Sequence, residues 1–276
     1  GLICLVGDPI DADLIQGCET LKVVSSCSVG VDHIDLAAAS ARGVPVGHTP
    51  GVLTETTADL TFALMLAAAR RVAEGDVFVR SGGWKAAPGW GLASFLGVDL
   101  HGATLGIVGL GGIGQAVARR ATGFGMRVMG WSRSSNSFPG IERVSLPELL
   151  SQSDFVSIHL ALAAETRGLL DAEAIAQMKP GAVLVNTARG GIVDDRALAR
   201  ALAGGKLAAA GLDVFDGEPI GSEHPLAALD NVVLTPHIGS ASIRTRMRMA
   251  ELSVENCLAG LEGRALPSCA NQADLI

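Results

Sequence analysis

Tyrosine is absent from the 276-residue chain, and seven phenylalanines and three tryptophans hold its aromatic content to 4%. The interior must therefore be built from Ala, Val, Leu and Ile, the palette of helices packed on a parallel sheet. Charge is scarce as well. Asp, Glu, Lys and Arg make up 18%, and at a net charge of −7 the 21 basic residues are scattered rather than clustered. That pattern argues against nucleic acid or an anionic membrane surface as a partner. The five cysteines (Cys4, Cys18, Cys27, Cys257, Cys269) make no CxxC or Cys/His spacing. No metal site is expected from them, and unpaired thiols predict a cytoplasmic protein. Apolar runs are short: the best, Leu60 to Ala69, does not reach membrane-spanning length. Gly1 to Val6 is apolar without a preceding basic residue, so it reads as a buried strand and not as a signal peptide.

Glycine, in contrast, is abundant at 35 residues, and 49% of the chain is hydrophobic, enough for two domains of ordinary size. Short apolar runs alternate with longer helical patterns. Strands are predicted at Lys22–Ser25, Val44–Val46, Leu105–Val108, Arg127–Trp131, Phe155–His159, Ala182–Asn186, Leu207–Leu212 and Val232–Thr235. One long proline-free helix is predicted from about Thr54 to Arg80, a loop over Ser81–Gly97, and a last helix from about Ser242 to Leu261. Strands alternating with helices imply a parallel, doubly wound α/β sheet.

Gly109-Leu110-Gly111-Gly112-Ile113-Gly114 fits G-x-G-x-x-G between an apolar strand and an alanine-rich helix. Gly109 would permit the tight turn, Gly111 a close approach of backbone to a pyrophosphate, and Gly114 close packing of helix on strand. Gly112 and Ile113 open the helix, whose first N–H groups would face the phosphate. The next strand ends in Ser132-Arg133-Ser134, where a carboxylate usually meets the ribose hydroxyls of NAD. With a cation there instead, NADP(H) is the expected cofactor and NAD(H) a possible one. The alternative is that Arg133 is an ordinary exposed loop arginine.

Reduction of a 2-oxo acid requires a cation for the carboxylate and carbonyl, a proton donor for the developing alkoxide, and a partner for that donor. Three strand ends supply candidates: Asn186-Thr187-Ala188-Arg189-Gly190-Gly191, Asp213-Val214-Phe215-Asp216-Gly217-Glu218-Pro219, and Thr235-Pro236-His237-Ile238-Gly239. Taken singly, Arg189 could be a surface arginine, Glu218 a turn residue and His237 a satisfied core histidine. His159, at another strand end, reads as structural, while His33, His48, His101 and His224 have no supporting constellation.

With Ser28-Val29-Gly30-Val31-Asp32 and Thr56-Thr57-Ala58-Asp59, these segments resemble the D-isomer-specific 2-hydroxyacid dehydrogenases, nearest to the glyoxylate/hydroxypyruvate reductases. The resemblance runs from about Leu21 to Gly263. It implies a Rossmann-type dinucleotide domain at 75–261 and a smaller flavodoxin-like α/β substrate domain at 1–74, completed by 262–276. It further implies hydride transfer from nicotinamide C4 to glyoxylate or hydroxypyruvate, giving the D-2-hydroxy acid. Arg189 would bind the substrate carboxylate and carbonyl, His237 would be the general acid, and Glu218 would stabilise its imidazolium. Val29 and Gly30 would offer N–H groups to the carboxylate. Asp213 would lie near the nicotinamide carboxamide, with Thr187 and Gly239 at cofactor or active-site backbone positions. A homodimer is implied through the Ser81–Gly97 segment, which carries Trp84 and Trp90. Other substrates such as 3-phosphoglycerate, or a dinucleotide-sensing corepressor on the same scaffold, are the alternatives. Family members have on the order of 50 further residues, more than one βα unit, ahead of the position of Gly1, so the substrate domain is expected to be shortened. Ala161-Leu162-Ala163-Ala164 also departs from the family's proline-containing turn.

Overall fold

The computed structural model describes residues 1–87, 91–133 and 136–275. The chain divides into two compact units, Gly1–Thr56 with Ser240–Ile276, and Thr57–Gly239. The sequence placed these divisions later, at 74/75 and 261/262. The C-terminal helix packs on the sheet of the first unit, which is why the division precedes it.

In the first unit, β1 (Leu2–Cys4), β2 (Val24–Ser26) and β3 (Val46–Gly47) form a parallel sheet in the order β1-β2-β3. Helices α1 (Ala12–Gly17) and α2 (Leu36–Ala41) start at Asp11 and Asp35, whose carboxylates accept the N–H groups of Leu14 and Ala38. Ile10, Ile15, Val24, Ile34 and Val46 make the core. The predicted strand at Val44–Val46 shifts towards Gly47, because Pro45 has no N–H for the ladder. Pro45 contributes only its carbonyl, which accepts from Val24.

Helix α3 (Thr54–Ala69) ends eleven residues before the predicted limit at Arg80, and α4 (Val72–Arg80) follows as a separate helix. Neither proline nor glycine marks the break. Arg71 takes a left-handed backbone (φ 54°), while its guanidinium forks onto Glu74 at 2.6 and 2.8 Å and lies over the Phe95 ring. The Ala69 carbonyl accepts instead from Val98 N at 2.8 Å, and a Cβ on Gly97 would collide with that carbonyl. A crossing segment distant in sequence thus ends the helix. Among its described residues, the predicted loop at Ser81–Gly97 contains one helical turn, α5 (Gly83–Ala86).

The second unit is organised by a seven-stranded, all-parallel sheet. Its strands are β4 (Thr104–Val108), β5 (Arg127–Trp131), β6 (Glu142–Arg143), β7 (Phe155–Ile158), β8 (Ala182–Asn186), β9 (Leu207–Leu212) and β10 (Val232–Leu234). They lie in the order β10-β9-β8-β7-β4-β5-β6. Helices α6 (Gly112–Ala121), α7 (Leu146–Gln152), α8 (Ala172–Gln177) and α9 (Asp195–Ala203) connect them. Register explains the aliphatic composition. Phe155 faces Val183 and both enter one core, while Val156 faces Leu184 and both enter the core on the opposite side. A strand covered on both faces needs apolar residues along its buried length, as in the Ala182–Val185 run of β8. The order of strands reverses between β4 and β7, so their carboxyl ends open the switch point at which such sheets receive ligands.

Helix α10 (Ile243–Leu261), started by the Ser242 hydroxyl, returns the chain to the first unit. There Ser253 bonds the Ser25 hydroxyl at 3.0 Å and Asn256 bonds the His48 carbonyl at 3.0 Å. Beyond it, Asn271 closes the end of β3. Its amide oxygen accepts from Val46 N at 2.9 Å, and its amide nitrogen donates to the Val44 carbonyl and the Ser40 hydroxyl. Asn271 is almost completely buried. Asn271→Ala strands these partners and should destabilise the protein by roughly 2–4 kcal/mol, read as a lower midpoint in urea. An unchanged midpoint would show that water replaces the amide.

Candidate active site

The glycine turn lies at the switch point. Gly109 has φ +104°, and any Cβ on it would strike the His159 carbonyl that follows β7. A Cβ on Gly114 would fall on the Gly109 carbonyl, so helix and turn close only because that atom is missing. A Cβ on Gly111, in contrast, would meet nothing within 4 Å. Gly111 is also the N-cap of α6 and no side chain caps it. The turn therefore combines open space with helix N–H groups, and fits a pyrophosphate. His159 is partly buried, and desolvation holds its imidazole neutral down to about 3; Nε2 meets the Ser157 hydroxyl at 2.8 Å.

At the end of β5, Arg133 is exposed and stands 3.9 Å from Glu165. Ser132 meets the guanidinium of Arg143, a residue the sequence did not single out. Ser134 and Trp90 lie outside the described residues.

Arg189, Glu218 and His237 are carried by the ends of β8, β9 and β10, neighbours in the sheet. The Asn186 side chain closes the first turn, donating to the Arg189 carbonyl and accepting from Ala188 N, both at 3.0 Å. The Thr187 hydroxyl bonds that of Thr61 at 2.9 Å. The second turn sits directly on the first: a Cβ on Gly190 would overlap the Phe215 carbonyl. Glu218 accepts from Phe215 N with one carboxylate oxygen and contacts His237 Nδ1 with the other, both at 2.7 Å. The carboxylate assigns the proton to Nδ1 and leaves Nε2 as the working nitrogen.

His237 itself has a left-handed backbone (φ 54°), uncommon outside glycine, and follows Pro236. Asp213 holds that turn. Its fully buried carboxylate accepts from Thr235 Oγ1 at 2.6 Å, Ile238 N at 2.8 Å and Gly239 N at 2.7 Å, and its carbonyl accepts from His237 N. Burial pushes the Asp213 carboxyl up, and these bonds recover only part of the shift. Glu218 shows the opposite balance. Burial pushes it up too, but the His237 and Phe215 hydrogen bonds and the charges of His237 and Arg189 outweigh burial and hold it below the usual value.

His224, without a constellation in the sequence, pairs with Asp195 at 3.4 Å, and the same carboxylate oxygen accepts from Asp216 N. Together they brace the turn bearing Glu218. Local signals for them are weak, since Asp194 already caps α9 and Asp195 looks redundant.

In the first unit, the Ser28 hydroxyl donates to the Gly30 carbonyl at 2.6 Å and His48 Nδ1 contacts the Val29 carbonyl at 3.0 Å. Ser26 links Ser28 to His33. His33 and His48 thus support this loop, a role the sequence did not reveal. Among the described residues, neither Val29 N nor Gly30 N donates a hydrogen bond. No group of three or more potential metal ligands occurs among the described residues, and no helix there is long and apolar enough to cross a membrane.

A glycine turn at the switch point marks a dinucleotide fold, and comparison with known proteins identifies an NAD(P)-dependent oxidoreductase. Residues 62–239 match the NAD binding domain of the D-isomer specific 2-hydroxyacid dehydrogenases. A glyoxylate reductase of Korarchaeum cryptofilum is 51% identical over 98% of this chain and 82% of its own length. A protein of known structure from Thermus thermophilus is 55% identical, with a TM-score of 0.92 over 98% of this chain and 85% of that one. The structure of an NADPH-dependent glyoxylate/hydroxypyruvate reductase from Sinorhizobium meliloti, in complex with NADP and malonate, is 32% identical. Its TM-score is 0.91 over 99% of this chain and 85% of that one. The chain belongs to the D-isomer-specific 2-hydroxyacid dehydrogenase family.

The lowered Glu218 value has a consequence for stability. Its ionised form stabilises the fold above the ordinary glutamate value of about 4.3, and that contribution is lost as pH falls through the lowered value. The melting temperature of the wild type should therefore exceed that of Glu218→Gln at neutral pH, with the gap closing below about pH 4. A gap that stays constant on acidification contradicts this assignment.

Proposed function

We propose that the protein reduces glyoxylate or hydroxypyruvate to the D-2-hydroxy acid with NADPH. The observation that carries this reading is the Glu218–His237 pair at 2.7 Å, on a turn packed against the one that bears Arg189. Arg189 supplies the fixed cation that holds the substrate carboxylate and polarises its carbonyl. His237 presents Nε2 and delivers the proton to the carbonyl oxygen as that oxygen becomes an alkoxide. Glu218 keeps Nδ1 protonated and offsets the charge on the imidazolium. When bound, the reduced nicotinamide supplies the hydride that the carbonyl carbon accepts.

Val29 and Gly30 are proposed to offer their N–H groups to the same carboxylate, within a substrate-binding first unit. The pyrophosphate is proposed to rest on Gly109 to Gly114, and Thr187, Asp213 and Gly239 to border the cofactor. The absence of a carboxylate at Ser132–Arg133 supports NADP(H) over NAD(H), as does the NADP-bound relative. Free cysteines throughout accord with a cytoplasmic setting.

The test is a panel of small 2-oxo acids assayed with NADPH and NADH. The highest kcat/KM is expected with NADPH and glyoxylate or hydroxypyruvate. His237→Ala should lower kcat by roughly 10²–10⁴-fold and leave dinucleotide affinity nearly intact. Wild-type turnover in that variant would overturn the mechanism.

The protein is also proposed to be a homodimer, as the resemblance implies for the Ser81–Gly97 segment. Val72, Val77, Val79 and Trp84 expose large apolar surfaces along α4 and α5. Light scattering should return twice the 28.2 kDa chain mass, and a monomeric mass would exclude the proposal.

A further inference from the structure

The Ser132–Arg133 segment is contacted by a second arginine, supplied by an edge strand. Arg143 ends β6, the two-residue outermost strand of the sheet. Its Nη1 donates to Ser132 Oγ at 3.1 Å and to the Asn136 carbonyl at 2.7 Å, while Nη2 donates to the Ser132 carbonyl at 3.2 Å. One guanidinium therefore holds both Ser132 and Asn136.

Packing fixes where that group stands. Gly130 pairs with Arg143 across the sheet, and a Cβ on Gly130 would collide with Ile141 and with Leu110 of the glycine turn. Ile141, which leads into β6, and Leu110 of the glycine turn thus both crowd the space over Gly130.

Charge distinguishes Arg143 from the other cations here. Glu165 stands beside Arg133, and Glu142 pairs with Arg127 at 2.7 Å. Among the described residues no carboxylate pairs with Arg143, whose hydrogen bonds all go to neutral oxygens. An anion bonded to the Ser132 hydroxyl would lie within about 6 Å of this guanidinium, two hydrogen-bond lengths. At that distance an unpaired cation favours a phosphate dianion over a neutral ribose hydroxyl.

We propose that Arg143 is a specificity-determining residue for the 2′-phosphate of NADP(H), supplying the uncompensated charge and bracing Ser132 for that contact. The inference rests on the NADP(H) reading above and goes beyond it in the residue it assigns.

Calorimetric binding of 2′,5′-ADP and 5′-AMP to the wild type, Arg143→Ala and Arg143→Lys tests both levels separately. The wild type should bind 2′,5′-ADP more tightly than 5′-AMP. Arg143→Ala should lose about tenfold in affinity for 2′,5′-ADP, with 5′-AMP changed less than twofold, which also reports an intact fold. Arg143→Lys retains charge without the planar fork and should fall between the two. The kcat/KM ratio for NADPH over NADH should follow the same order. A wild type that does not discriminate the two ligands overturns the cofactor reading, and this inference with it. A discriminating wild type whose selectivity survives in Arg143→Ala overturns the inference alone.

Discussion

A single buried carboxylate organises the site. Asp213 ends the apolar strand β9 and receives Thr235, Ile238 and Gly239 from the end of β10, so two strand ends are joined through its two oxygens. A carboxylate removed from water is costly unless its lone pairs are occupied. Here that cost selects one arrangement of the Pro236–Gly239 turn, in which His237 adopts a backbone that a β-carbon disfavours. Glu218 lies five residues beyond Asp213 on the same segment and contacts the ring of the residue that Asp213 positions. The two acids have complementary tasks, one orienting backbone and the other the imidazole.

Absent side chains contribute as much as present ones. Gly109 and Gly114 let the first βα turn fold tightly at the switch point, and Gly190 lets the arginine turn touch the Phe215 carbonyl. The high glycine content, unusual as composition, is spent in part where backbone must approach backbone. The aromatic-poor interior is the counterpart of this economy: a parallel sheet with both faces covered is filled by residues such as Leu105, Val183 and Val185.

What could be read in the sequence was local in cause. The glycine turn depends on residues within six positions of one another, and six of the seven strands of the second unit announce themselves as apolar runs; β6, two charged residues at the sheet edge, does not. The Arg189, Glu218 and His237 segments each follow such a strand, yet singly they are ambiguous, and their grouping as a candidate site comes from the resemblance to the family. What escaped reading was tertiary. The end of α3 at Ala69 is imposed by Val98 and Gly97 from a distant segment. Asp195 with His224, His48 behind Val29, and Arg143 behind Ser132 acquire meaning only from partners that spacing does not disclose. The divisions between units moved for the same reason, since α10 reads as a helix without revealing which sheet it covers.

The contact between Gly190 and the Phe215 carbonyl also sets how the site can move. With no gap between the two turns, and protein interiors resisting compression, neither can fluctuate towards the other. Their thermal displacements must be shared in that direction, so the distance from the arginine turn to the glutamate–histidine pair varies less than the position of either.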